Sequence, residues 1–335
     1  MISPYSFDFS KDGRQIIELF ETGDQCIWEI EDGQALRPRA IRSRRPWRDY
    51  DYWMLPPSTV PFSPDGRWGL TFDYTRAALV WRLGRQGRPV RRFDRFSEDG
   101  VALALLTDNA VVLQNFDGAT FVGSIEGRGR SLGPSLGARA EMTVSRDGSL
   151  LALSTGARIG AWELSSGAAR LPETKIRLTG SAFAFTDDGR RLVGVGTDGA
   201  LHTWEITPSA ANTYHSVPLR AGEFSRVWVA PGARHLVGWA DGTLTIYRID
   251  VSSAAVHADV LPTVFFDHDI TARASFSRDG ARVVLGSTNT SWLIELAGPR
   301  IEAILTDELY RGDVWAIDPS GRLLSTHNKL SLWTH

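Results

Sequence analysis

The chain has 335 residues, of which 42% are hydrophobic and 23% are charged, and its formal net charge at pH 7 is −2. Such a balance gives no global field that would attract nucleic acid or an anionic membrane, and no apolar run reaches the roughly 18 residues of a membrane span. A single cysteine, Cys26, excludes an internal disulfide. Residues 1–13 lack a basic leader and a long apolar run, which predicts no signal peptide and favours a cytoplasmic protein.

A repeated turn is the first feature met along the chain. An apolar run ends in Phe-Ser-x-Asp-Gly or a close variant, and the glycine can take the positive φ that a tight turn requires. The eight copies are 9–13, 62–66, 96–100, 144–148, 185–189, 229–233, 276–280 and 317–321. A later strand of five units carries a tryptophan at one position, which is Trp28, Trp81, Trp162, Trp204 or Trp333, and Asn115, Tyr247 and Ile294 hold that position in the other three.

The segment 185–206 shows the unit most completely. After its first turn, 192–195 is a compact apolar strand, 197–199 turns again, and 201–206 alternates with period two. Three strands this short cannot bury their faces alone, so neighbouring units must pack against them. A repeat of roughly 40–45 residues closed by an aromatic residue is typical of four-stranded propeller blades.

The predicted fold is therefore all-β: a β-propeller of eight blades, mostly of four antiparallel strands, with seven blades as the alternative. One domain, 1–335, is expected. The predicted blades are 4–42, 59–93, 94–125, 138–176, 177–219, 220–266, 267–307 and 309–335. Between blades, 42–58 is predicted to be an insertion and 127–137 a loop rich in glycine, serine and arginine.

The Ser-x-Asp-Gly turns and the Trp-Glu pairs at 28–29, 162–163 and 204–205 resemble the WD-repeat β-propeller family over essentially the whole chain. The Gly-His pair that usually opens a repeat of this family is absent from all eight copies, so the repeats are divergent. Only three of the 37 basic residues are lysine, which indicates a GC-rich, bacterial genome.

The resemblance also bears on ring closure. Family members usually end on the third strand of a blade, because an N-terminal strand supplies the fourth. Here too few residues precede the first predicted strand, so the last blade is expected to have three strands. The edge at 330–333 would then be open to strand addition by an extended partner segment.

Two sets of residues are predicted to be structural. The five tryptophans named above are expected to wedge between blades. The turn aspartates are expected to bond the backbone of their own turns. They are Asp65, Asp99, Asp147, Asp188 and Asp279.

The insertion at 42–58 is the conspicuous segment that does not repeat. It holds Arg42, Arg44, Arg45, Trp47, Arg48, Tyr50, Tyr52 and Trp53. Arginine, tryptophan and tyrosine dominate binding hot spots, and the resemblance places such a connection on the face that family members use for partners. We interpret these residues as a partner-binding site; the alternative is a solvated loop whose tryptophans pack on the neighbouring blade.

The function predicted is a non-catalytic scaffold that binds a protein or peptide, without a metal, a cofactor or a membrane. One alternative is a propeller enzyme with an axial metal or cofactor site; the acids and histidine at 267–269 form the cluster to test. Another is a phosphate or nucleic-acid reader that uses 37–53, which is disfavoured because basic loops do not recur. The G-x-G-x-x-G at 194–199 precedes a strand rather than a helix, which argues against a dinucleotide site.

This register makes Trp204 a test position. We expect Trp204→Ala to lower the free energy of unfolding by about 3–5 kcal/mol, because a large buried ring would be lost from between two blades. Chemical denaturation measures the change. An unchanged melting temperature would contradict the register.

Overall fold

The structure is a computed structural model in which part of the chain is described. The described residues are 6–10, 12–20, 24–31, 34–41, 62–63, 65–72, 77–85, 87–94, 101–115, 118–125, 130–131, 140–155, 157–206, 213–219, 224–240, 243–250, 257–260, 264–265, 274–286, 290–298, 300–306, 316–318, 320–326 and 330–333. These residues form strands and turns and contain no helix, which confirms the all-β prediction for them. No helix suited to crossing a membrane occurs in this part of the chain.

The chain divides into two compact units, 1–140 and 141–335. In the first unit, the described strands form three antiparallel sheets in chain order. Sheet 1 contains β1 (Ser6–Phe9), β2 (Gln15–Leu19), β3 (Gln25–Glu31) and β4 (Gln34–Ile41). Sheet 2 contains β5 (Trp68–Phe72), β6 (Ala78–Arg82) and β7 (Arg91–Phe93). Sheet 3 contains β8 (Val101–Leu106), β9 (Ala110–Asn115), β10 (Thr120–Ser124) and β11 (Arg130–Ser131).

The second unit holds five such sheets among its described residues. Sheet 4 contains β12 (Glu141–Val144), β13 (Leu150–Ser154), β14 (Arg158–Glu163) and β15 (Ala169–Lys175). Sheet 5 contains β16 (Leu178–Phe185), β17 (Arg191–Gly196), β18 (Ala200–Glu205) and β19 (Tyr214–Pro218). Sheet 6 contains β20 (Arg226–Val229), β21 (His235–Ala240), β22 (Thr243–Asp250), β23 (His257–Val260) and β24 (Val264–Phe265). Sheet 7 contains β25 (Ala274–Phe276), β26 (Arg282–Gly286), β27 (Thr290–Glu295) and β28 (Arg300–Thr306). Sheet 8 contains β29 (Ala316–Ile317), β30 (Leu323–Thr326) and β31 (Leu330–Trp333).

Burial in sheet 5 is greatest in the second and third strands. In sheet 5, β17 and β18 are buried along nearly their whole length, whereas the outer strand β19 alternates between exposed and half-buried residues. A strand covered on both faces has no solvent side, so its sequence is a continuous apolar run rather than an alternating one. This explains why 192–195 is uniformly apolar.

Successive sheets pack through shared apolar clusters. In the second unit, Val195 and Leu201 of sheet 5 belong to one cluster with Leu236 and Tyr247 of sheet 6. Sheets 4 and 5 share another cluster, and sheets 6 and 7 share a third. Because each sheet is only a few strands wide, this face-to-face burial is the main source of its stability.

The first unit has the same arrangement with added polar ties. Gln25 of sheet 1 donates its side-chain amide to the carbonyl of Arg82 at 3.1 Å and accepts from the backbone of Gly84 at 2.8 Å. The indole of Trp68 in sheet 2 donates to the carbonyl of Asp108 in sheet 3 at 3.0 Å. These hydrogen bonds join neighbouring sheets, so polar contacts as well as apolar burial fix the relative position of the sheets.

One local prediction about the loop 127–137 is wrong. Arg130 and Ser131 form the short strand β11, which pairs with Val122 and Phe121 of β10. Without it, β10 would present an unpaired edge, and even two residues blunt such an edge.

The tryptophan of sheet 2 is held by a hydrogen bond that depends on one position of the neighbouring strand. Trp81 pairs with Gly69, and its indole donates to the hydroxyl of Thr71, two residues further along β5, at 2.8 Å. Sheet 1 uses the same geometry, because Trp28 donates to the carboxylate of Glu18 at 2.9 Å. The acceptor is therefore set by the residue two places beyond the pairing position.

Trp204 of sheet 5 lacks this acceptor. It pairs with Leu192, and the residue two places further along β17 is Gly194, which has no side chain. The indole nitrogen of Trp204 is consequently buried without a hydrogen-bond partner in the described part of the chain. A side chain at 194 would meet Leu178 at 3.2 Å, so packing of that leucine occupies the space.

The indole bond in sheet 2 yields a stability prediction. Thr71→Val keeps the side-chain shape but removes the acceptor of Trp81, and both residues are almost fully buried. We expect the free energy of unfolding to fall by about 1–3 kcal/mol, because a buried donor loses its partner. In a Trp81→Phe background, where the donor is absent, urea denaturation should find a smaller cost for Thr71→Val. Equal costs in the two backgrounds would contradict the proposed bond.

Candidate functional site

The described copies of the repeated turn motif, most of which join the first and second strands of a sheet, share one hydrogen-bonded design. At 186–190, the hydroxyl of Thr186 donates to Asp188 at 2.6 Å, and the same carboxylate accepts from the backbone of Arg190 at 3.0 Å. The backbone of Gly189, which has a φ of 67°, donates to the carbonyl of Thr186 at 2.9 Å. The equivalent hydroxyl–carboxylate distance is 2.7 Å for Ser10–Asp12 and 2.6 Å for Ser63–Asp65, Ser145–Asp147 and Ser277–Asp279.

The same contacts fix the charge of these aspartates. Partial burial of Asp188 by itself raises its pKa, but the donors from Thr186 and Arg190 outweigh burial and lower the pKa below its usual value of 3.8. Burial, a serine hydroxyl and a backbone N–H act in the same way on Asp65 and Asp147, whose pKa values are also lowered. These carboxylates are therefore ionised at neutral pH and hold their turns in one conformation.

Two of the turns that the structure describes depart from the design. At 229–233 both the hydroxyl and the acid are missing, and Ala233 takes a φ of 53°, which is unusual for a residue with a side chain. The bond from the backbone of Ala233 to the carbonyl of Ala230, at 2.9 Å, remains. At 318–322 the order is reversed, because Ser320 follows Asp318 and donates to it at 2.7 Å.

Three of these turns meet at one carboxylate. Asp187 of sheet 5 binds Arg146 from the turn of sheet 4, with 3.0 Å between Nη1 and Oδ1. It also binds Arg234 from the turn of sheet 6, with 2.5 Å between Nη2 and Oδ2. The backbones of the turns of sheets 5 and 6 also lie close together, because Thr186 forms a parallel β-bridge with Gly232. A Cβ at 232 would lie 2.6 Å from the carboxylate of Asp187.

We call Arg146, Asp187, Arg234 and their turns the turn edge. The two arginine side chains are 67% and 69% exposed, while Asp187 is 28% exposed. Two guanidinium groups are thus presented to solvent at positions set by hydrogen-bonded turns. A partner would meet fixed charge and donors on this edge rather than mobile loops, which lowers the entropy cost of binding.

The predicted partner-binding residues lie outside the described residues. They are Arg42, Arg44, Arg45, Trp47, Arg48, Tyr50, Tyr52 and Trp53. Asp99 also lies outside them, and for Trp333 the backbone of β31 is described but the side chain is not. The predicted binding role of the insertion therefore stays a prediction.

The predicted structural residues that are described occupy two environments. Trp81, Trp162 and Trp204 are buried, at 4%, 7% and 2% exposure, whereas Trp28 is only half-buried. Asp65, Asp147, Asp188 and Asp279 all accept the hydroxyl bond of their own turns.

Sequence reasoning missed the turn edge. Its members Arg146 and Asp187 stand at the variable position of Ser-x-Asp-Gly, and Arg234 follows the most degenerate copy of the turn. The signal that could have found the Arg146–Asp187 pair is that these two residues occupy the same position of neighbouring repeats and carry opposite charges. Within the residues that the structure describes, no group of three or more histidines, cysteines and acids has the arrangement of a metal site.

Comparison with known proteins places the fold. The chain is similar to the crystal structure of the β-propeller domain of Cps50 (Swd1) from Myceliophteria thermophila, with a TM-score of 0.52 and 14% sequence identity over 99% of this chain and 97% of that one. No protein-family model and no curated protein sequence matches the chain.

This likeness covers both units and shows the fold, not the function. Together with the antiparallel sheets, it confirms that the chain has an all-β fold of the β-propeller type, and it supports the predicted likeness to WD-repeat propellers.

Two neighbouring aspartates make a matched test of the turn design. Asp187→Ala should lower the free energy of unfolding by less than about 1 kcal/mol, because its arginine partners are exposed to solvent. Asp188→Ala should cost about 1–2 kcal/mol, because a hydroxyl and a backbone N–H lose a charged acceptor. Urea denaturation at neutral pH measures both, and a larger cost for Asp187→Ala would contradict the assignment.

The pH dependence gives an independent readout. Because the pKa of Asp188 is lowered in the folded state, its contribution is complete above the usual value of 3.8 and is lost as the pH falls through the folded value. The stability gap between wild type and Asp188→Asn should therefore narrow on acidification.

Proposed function

We propose that this protein is a non-catalytic interaction scaffold, a WD-repeat-like propeller that binds a protein partner through its turn edge. The observation that carries the proposal is the pair of exposed arginines, Arg146 and Arg234, held on either side of Asp187. Arginine combines fixed geometry, several donors and weak hydration, so it is enriched where proteins recognise one another.

The proposed architecture has eight blades, one for each turn motif. Its support is that the described strands form eight sheets in chain order, each preceded or opened by one copy of the turn. In this proposal sheet 8 is the eighth blade, and the edge of β31 (Leu330–Trp333), which pairs only with β30 among the described residues, is a second place for a partner segment to add.

The remaining parts of the proposal come from the sequence. The insertion with Arg44, Trp47 and Trp53 would extend the partner-binding surface, and the protein would act in the cytoplasm without a cofactor. A propeller can also support an enzyme, since fold alone does not define function. Stoichiometric calcium, zinc or manganese in the purified protein would contradict the non-catalytic role.

Charge reversal on the turn edge tests the function. The full chain and its Arg234→Glu variant are expressed with an affinity tag in the source cells, crosslinked, and the recovered proteins quantified by mass spectrometry. We expect at least one protein to be recovered in near-stoichiometric amount with wild type and about fivefold less of it with Arg234→Glu. The partner group that complements Arg234 is acidic, and the new glutamate would repel it.

The matched control is Arg226→Glu. Arg226 is exposed and opens β20 in the same sheet, whereas Arg234 follows the turn at the opposite end of that strand. The control should recover the partner as wild type does. Equal losses for the two variants, or no loss for Arg234→Glu, would contradict the proposed role of the turn edge.

A further inference from the structure

A groove runs along the outer strands of sheets 4 and 5. It consists of two depressions of about 490 Å³ and about 440 Å³, which share Lys175 and Ile176 in their walls. One wall is β15 of sheet 4, and the other is formed by β18 and β19 of sheet 5. The groove is therefore elongated along a strand direction.

One end of the groove is aromatic. Tyr214 is 50% exposed, the largest exposure among the aromatic residues whose side chains are described, and its ring stacks on His202 with centroids 5.7 Å apart and planes at 17°. Trp204 lies behind them, with its ring 5.9 Å from that of Tyr214. Leu171 of β15 packs beneath this end and is only 2% exposed, so an apolar side chain placed here would stack on the exposed ring of Tyr214.

The aromatic end is held rigid by polar contacts. The hydroxyl of Tyr214 lies 2.6 Å from Nδ1 of His202, and Nε2 of His202 lies 3.0 Å from a carboxylate oxygen of Asp198. His202 is 2% exposed, and Gly196 leaves room for it, because a Cβ there would lie 2.3 Å from Nε2. The position of the Tyr214 ring is thus fixed before any ligand arrives.

The other end of the groove is cationic. Lys175, Arg177 and Arg158 line it, and all three are exposed. Arg158 binds Glu173 at 3.3 Å, whereas Lys175 and Arg177 form no ion pair with any described residue. Two positive charges are therefore available to a ligand.

The wall between these ends is an edge strand. In the described residues β15 pairs only with β14, so one of its sides is open for pairing. Leu171 stands near its aromatic end, and Lys175 is its last residue. At about 3.3 Å per residue, an extended segment would cover this distance with four to six residues.

We propose that this groove binds an extended acidic peptide segment that carries one aromatic residue, with the ring at Tyr214 and the acidic residues at Lys175 and Arg177. The proposal rests on the proposed function in that the ligand is part of another protein, but it concerns a different surface. The groove and the turn edge can therefore fail separately.

A peptide fits this groove better than a single-stranded nucleic acid. Proteins that bind single strands also combine stacking rings with positive charge, but a single strand carries a phosphate at every nucleotide. Asp198, whose side chain is 62% exposed, lines the groove and would repel a continuous line of phosphates. A peptide can place its carboxylates at the cationic end alone.

Fluorescence anisotropy with the full-length protein tests the proposal. The probe is a fluorescein-labelled peptide with one phenylalanine, a Gly-Ser spacer and three glutamates. We expect binding with a dissociation constant in the range of about 1–100 μM, weakened about tenfold when phenylalanine is replaced by alanine or the glutamates by lysine.

Variants locate the binding. Lys175→Glu/Arg177→Glu should weaken the acidic probe at least about tenfold, whereas Arg146→Glu/Arg234→Glu on the turn edge should change it less than about twofold. Tyr214→Ala should weaken it about fivefold, and Tyr214→Phe, which keeps the ring but loses the bond to His202, should weaken it less than about twofold. Circular dichroism and melting curves confirm that the exposed substitutions leave the fold intact.

Four results would overturn the proposal. They are no detectable binding of the probe at about 1 mM protein, equal affinity for the lysine peptide, an unchanged affinity in Lys175→Glu/Arg177→Glu, and tighter binding of an oligothymidylate of equal charge. None of them would affect partner recovery by the turn edge, and loss of partner recovery would leave the peptide affinity unchanged.

Discussion

Apolar burial between neighbouring sheets is the constraint on which the structure depends. A sheet of three or four short strands exposes two faces, and it is stable only when other sheets cover both. In the second unit, side chains from sheets 5 and 6 form one cluster, and the next pairs of sheets repeat the arrangement. This burial explains the continuous apolar runs of the central strands and leaves charged residues for the turns and outer strands.

The turns convert this packing into a defined surface. A carboxylate that accepts a hydroxyl and a backbone N–H fixes the direction in which the chain leaves one strand and enters the next. Because adjacent sheets are packed at fixed positions, their turns also lie at fixed positions, and Asp187 reaches an arginine on each side. The turn edge and the groove between sheets 4 and 5 are two products of the same packing, one at the strand ends and one along the outer strands.

Local chemistry was predictable from the sequence, and contacts between repeats were not. The Ser-x-Asp-Gly pattern predicts a turn because its hydroxyl, acid and glycine act within five residues, and the strands on either side follow from it. The bonds of Trp81 and the missing bond of Trp204 depend on whether Thr71 or Gly194 stands two places beyond the paired residue, which requires the register. The meeting of Arg146 with Asp187, 41 residues away, requires the placement of whole sheets. The prediction for the loop at 127–137 was wrong at β11 because two residues of edge pairing leave almost no sequence signal.

Hydrogen exchange after a substitution in one sheet measures whether neighbouring sheets depend on each other. Leu236→Ala removes a fully buried side chain of β21 from the cluster that sheets 5 and 6 share. If inter-sheet burial stabilises both, amide exchange should accelerate in β17 and β18 as well as in β21 and β22, since the sheets open together. Acceleration confined to sheet 6 would contradict the account, because it would mean that each sheet is stable on its own.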